Sequence, residues 1–92
     1  MQPGVIHALA QYIRVLTDSA GRTSKAEDRM AYTKHLAEAT IMFSLAHAGD
    51  AHQLADKVAQ ERHTFGWGYL SGPEGEAAEA AFQQFAALAG EN

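Results

Sequence analysis

Apolar residues recur at helical spacing through most of this chain, and glycine interrupts the pattern at only a few places. A segment with a 3.6-residue apolar period folds as a helix that must bury its stripe against another element. Four such segments can be traced. They predict an all-α fold: a small four-helix bundle with an aromatic, Gly-rich loop between the third and fourth helices. The 92 residues make a single helical domain, 1–92. A chain of this length buries only roughly 60–65% of the surface it exposes when unfolded, so its core is thin and a partner chain would add to it.

The first helix is predicted from Pro3 to Asp18. Proline suits a first turn, where its missing N–H costs nothing. Val5, Ile6, Leu9, Tyr12, Ile13 and Leu16 share one side, opposite His7, Gln11, Arg14 and Asp18. Gly21 is read as the stop, and Arg22 to Ser24 as a polar hinge. The second helix is predicted from Lys25 to Ala48. Ser24 and Glu27 have the spacing of a capping box, and Gly49 stands where a left-handed cap is wanted. This helix carries two apolar stripes. Tyr32, Leu36, Ala39, Phe43 and Ala46 form one; Met30, Ala37, Ile41 and Ala48 form the other. So wide an arc predicts a central helix touched on two sides, with Glu27, Asp28, Lys34, His35 and Glu38 on the remaining face.

The third helix is predicted from Ala51 to His63, capped by Asp50 with Gln53. Its stripe is narrow: Ala51, Leu54, Ala55 and Val58, with Phe65 just beyond. The tight Ala48-Gly49-Asp50 connection makes an αα-hairpin of helices two and three. Residues 64–73 then combine Gly66, Gly68, Gly72 and Pro73 with Phe65, Trp67, Tyr69 and Leu70, which excludes both a regular helix and a merely solvated loop. The fourth helix is predicted from Glu74 to Ala89. Its early glutamates complement the positive end of the helix dipole, and Ala78, Ala81, Phe82, Phe85, Leu88 and Ala89 share a face.

Several function classes are disfavoured by composition. The net charge is −4 and the seven Lys and Arg are scattered, unlike the basic excess that neutralises nucleic-acid phosphates. There is no cysteine, which removes disulfides, thiolate metal sites and cysteine nucleophiles. No run approaches the ~20 apolar residues of a membrane helix, and no signal peptide is evident. The sequence therefore reads as cytoplasmic.

Five histidines invite a metal reading. His47, His52 and Asp56 could offer two nitrogens and a carboxylate across the Gly49 turn, a set suited to Zn or Fe(II). His52 and His63 cannot share an ion, being about 16 Å apart along a helix. Asp28, His35 and Glu38 form a second polar set on the outward face of helix two, and alternating charge on a solvated helix accounts for it. No nucleophile elbow or phosphate-binding loop is present. Helices two and three resemble a helix-turn-helix loosely, but the residues expected on the reading face include Asp56 and Glu61, which phosphates repel.

The most informative stretch is residues 61–70, where a polar helix end runs into the only tryptophan. Trp, Tyr and Arg dominate interface hot spots. Arg62, Phe65, Trp67, Tyr69 and Leu70 are the candidate contacts, either as a plug for the open end of the bundle or as a patch for another chain. The sequence thus predicts a non-enzymatic interaction or regulatory module, self-associating as a homodimer and holding no cofactor. A metal- or ligand-binding protein using His47, His52 and Asp56 is the alternative, with DNA binding behind both.

Overall fold

The structure is a computed structural model describing residues 3–65, 70 and 72–89, the side chains of residues 64 and 65 excepted. Its elements are α1 (Val5–Arg22), α2 (Ala26–His47), α3 (Ala51–Phe65) and α4 (Gly72–Ala89). There is no strand among the described residues. α1 packs on α2 and α4, and α3 packs on the same two helices, so the four close a ring. Short connections make sequence neighbours spatial neighbours. The Cα radius of gyration is 12.4 Å, close to the about 12 Å of a compact chain this long.

The core follows the predicted stripes closely in three helices. α1 contributes Val5, Leu9, Tyr12, Leu16 and Ser19, alternating i+4 and i+3. Ser19 Oγ donates to the Glu74 carbonyl at 3.2 Å, tying the last turn of α1 to the start of α4. α4 contributes Ala78, Ala81, Phe82, Phe85, Ala86 and Ala89. Tyr12 meets Phe82 and Phe85 at ring separations of 5.5 and 6.2 Å. These three rings fill the space that the neighbouring alanines leave open.

Several helix ends differ from expectation. α1 runs through Gly21 to Arg22, because Ser19 extends its buried stripe by one further turn. An Arg22–Asp18 pair at 3.0 Å lies on its surface. The Ser24–Glu27 capping box does not form. The N-cap of α2 is Lys25, in extended conformation and without a side-chain cap. The hinge is held instead from Thr23, whose Oγ1 accepts from the Lys25 N–H at 3.3 Å and whose carbonyl accepts from Arg29 Nη2 at 2.9 Å.

The α2–α3 turn matches the sequence reading. Gly49 takes φ +75°. Its N–H bonds to the Ala46 carbonyl and that of Asp50 to the Leu45 carbonyl, which is a Schellman closure. Asp50 Oδ1 then accepts from the Gln53 N–H at 3.1 Å and caps α3.

Between α3 and α4 the loop is shorter than expected: α3 reaches Phe65 and α4 begins at Gly72, with Pro73 in its first turn. Trp67 and Tyr69, and the side chain of Phe65, lie outside the described residues. Leu70 is buried at 5% exposure. It approaches α4 closely because Gly75 has no side chain: a Cβ there would stand 2.2 Å from the Leu70 carbonyl oxygen.

Helix α2 departs most from expectation, since it is not central. Its buried residues are Tyr32, His35, Ala39, Met42 and Ala46. Its second stripe faces outward, with Met30 74% and Ile41 47% exposed. In a ring of four, each helix has two neighbours, and nothing in the described chain reaches around α2.

Two glycine-to-alanine substitutions should move stability in opposite directions. Gly75→Ala forces Leu70 off α4 and should cost about 1–3 kcal/mol. Gly21→Ala has open space around its Cβ and should add about 0.5–1 kcal/mol by favouring helix. Thermal or urea unfolding checks both signs.

Candidate functional site

α2 presents two faces to consider, one buried and polar at its centre, one exposed and apolar. On the inner face His35 is fully buried and Glu61 of α3 is 3% exposed. His35 Nδ1 and Glu61 Oε1 are hydrogen-bonded at 2.5 Å. Both had been expected at the surface, His35 beside Asp28 and Glu38, and Glu61 among the exposed residues of α3. Periodicity explains the difference. Leu54, Val58 and Glu61 follow i+4 and i+3 steps, so the carboxylate occupies the next place in the apolar stripe of α3. His35 stands three residues from Tyr32 and four from Ala39, within the buried stripe of α2. A polar residue in register with a stripe on each of two adjacent helices was the signal that would have found the pair.

A buried charged or polar group must be paired. Here each partner satisfies the other across the α2–α3 interface. Lys57 and Glu38 add a part-buried ion pair between the same helices. His35 is fully buried and Glu61 almost so. The arrangement joins two helices.

On the outer face of α2, the groove around Met30 is lined by Ala26, Arg29, Thr33, Lys34 and Ala37. Beyond it the exposed residues are Thr40, Ile41, Ser44, His47 and Ala48. From Ala37 onward no exposed position of this helix holds Asp, Glu, Lys or Arg. A solvated helix face is normally charged or strongly polar.

The remaining candidates fall elsewhere. His47 is exposed and its ring packs on Phe43, with centroids 4.5 Å apart. His52 pairs with Asp56 at 3.7 Å on the exposed surface of α3. Among the described residues, no three His, Cys, Asp or Glu converge where they could hold a metal ion. His47, His52 and Asp56 are therefore not gathered as a metal site. Arg62 is exposed, its guanidinium 6.0 Å from the centre of the Phe82 ring. Leu70 belongs to the core. The side chains of Phe65, Trp67 and Tyr69 lie outside those described. Among the described residues, no helix is long and apolar enough to cross a membrane.

The chain matches no protein-family model, and neither the curated proteins nor the solved structures contain a significant relative.

The His35–Glu61 pair yields a double-mutant prediction. His35→Ala or Glu61→Ala alone strands the other group in the core and should cost about 3–5 kcal/mol. Replacing both with leucine removes the unmet polar demand and should recover most of that loss. Urea denaturation of the single and double variants measures the coupling.

Proposed function

We propose that this chain is a non-enzymatic helical interaction module that associates with a second copy of itself through the outer face of α2. The observation that carries this reading is the exposure of Met30 and Ile41, at 74% and 47%, on a helix already buried on its other side. Apolar residues on a second side of a helix gain from being covered as well. The chain covers one side, and a second subunit supplies the other.

The contact surface differs from the one the sequence favours. Leu70 is committed to the core, which takes it out of the contact set formed with Arg62, Phe65, Trp67 and Tyr69. The buried His35–Glu61 pair supports a structural role for those polar groups in place of catalysis. The thin core of a chain this short is consistent with stability drawn from association.

Sedimentation velocity across the micromolar range tests the reading. The wild type should shift toward a dimer as concentration rises. Met30→Glu combined with Ile41→Glu places like charges on both sides of the seam and should weaken association at least about tenfold. Both positions are exposed, so the far-UV circular dichroism should be unchanged. Trp67→Ala should leave association as it is. A wild type that stays monomeric would remove the proposal.

A further inference from the structure

The side-chain ties across the α2–α3 interface differ in chemistry from those that hold α1 on α4. His35–Glu61 and Lys57–Glu38 both cross from α2 to α3, and each contains a carboxylate. α1 meets α4 through the Tyr12, Phe82 and Phe85 rings and through the Ser19 hydroxyl on the Glu74 carbonyl. Neither of those contacts uses a carboxylate. α3 also lies less closely on its neighbours than α1 does. Of residues 51–63, Leu54, Val58 and Glu61 are buried, so a carboxylate is one of the few anchors of this helix.

We propose that the His35–Glu61 bond is an acid-released latch, whose protonation frees the far end of α3 from α2 while α1 and α4 stay packed. The latch belongs to a single chain and stands whether or not two chains associate.

Nδ1 and Oε1 are 2.5 Å apart. A proton lies between them, because two bare lone pairs at that distance repel. With the imidazole charged and the carboxylate ionised, the pair is neutral. One more proton leaves a neutral carboxyl beside an imidazolium, and the core then holds a positive charge whose counter-charge is gone. The surroundings do not replace it. The buried side chains of α1 are Val5, Leu9, Tyr12, Leu16 and Ser19, and the buried residues of α4 are glycine, alanine and phenylalanine. Along α2 and α3, the charged or titratable neighbours within one turn are Tyr32, Lys34, Glu38, Lys57, Arg62 and His63. Glu38 is engaged by Lys57. Residues 64–71 contain no Asp, Glu, Lys, Arg or His.

The sign of the effect follows from proton counting. In the open form both groups are hydrated and take up protons without this penalty. In acid the open form therefore holds more protons than the closed one, so falling pH favours opening and rising pH restores closure. The near end of α3 stays tethered, since the Gly49 turn is closed by backbone hydrogen bonds that acid leaves alone. Glu61 lies eleven residues beyond Asp50, about 16 Å along the helix. Release thus turns out Val58 and Glu61 while the hairpin turn remains closed.

Amide hydrogen exchange of the full chain, resolved by helix and corrected for intrinsic rates, tests the latch between about pH 6 and about pH 3.5. Opening of residues 58–63 should increase by up to about tenfold per pH unit below the ordinary glutamate range near 4.3. The amides of α1 and α4 should keep their protection. His35→Leu combined with Glu61→Leu leaves nothing to titrate at the site, and its α3 should not respond. Glu38→Gln should respond as the wild type does. Should the double-leucine chain not fold, Glu61→Gln keeps a hydrogen-bonding side chain and leaves histidine alone to titrate. The onset should then move up toward the ordinary histidine range near 6.5. Acid loss of protection shared equally by α1, α3 and α4 would overturn the proposal. So would a response that persists in the double-leucine chain, an onset unmoved by Glu61→Gln, or a response abolished by Glu38→Gln.

Discussion

The hydrogen bond between His35 and Glu61 sets how α2 is turned about its own axis. The helix has apolar residues on two sides, so hydrophobic burial alone does not choose which side goes inward. A buried glutamate on α3 does choose, because leaving it without a partner is more costly than leaving methyl groups in water. With His35 facing Glu61, the inner face becomes Tyr32, His35, Ala39, Met42 and Ala46. Leu36 and Phe43, which belong to the apolar stripe read from the sequence, end up only partly buried. The helix is thus rotated roughly 40° toward His35 from the setting its apolar residues alone would favour, at 100° per residue.

Such a pair contributes little net stability compared with a well-packed apolar contact, since both groups give up their hydration. Its value lies in register. One hydrogen bond of defined geometry, together with the Lys57–Glu38 pair on the same side, admits one alignment of α2 on α3. The Gly49 turn, closed by two backbone hydrogen bonds, holds the near end of the same hairpin. The Tyr12, Phe82 and Phe85 cluster holds α1 on α4, where packing is not directional in this way.

That rotational setting has a consequence at the surface. The outward positions of α1 include Gln11, Arg14 and Asp18; those of α3 include His52, Gln53, Asp56 and Gln60; those of α4 include Glu76, Gln83 and Gln84. Each is an ordinary solvated face. The outward positions of α2 hold Met30, Thr33, Ala37, Ile41 and Ser44 instead. The interaction that buries His35 is therefore the one that turns this apolar strip toward solvent. The core pair and the proposed interaction surface are two sides of one helix orientation.

Helix number, helix type, the stripes of α1 and α4, the Gly49 closure and the Asp50 cap were all legible in the amino-acid order. They depend on residues a few positions apart, and the 3.6-residue period or a single left-handed glycine specifies them locally. The burial of Glu61 was also visible in principle, as the next step after Leu54 and Val58. Reading it required setting the period above the expectation that a glutamate is solvated. The partner that makes this burial affordable stands 26 residues away, on another helix, and no local pattern names it. For the same reason, which stripe of α2 faces the core and how closely Leu70 approaches Gly75 were decided only by tertiary packing. A helix period says which residues share a face; it is the neighbouring helix, through the hydrogen bonds and volumes it offers, that determines which face is turned inward.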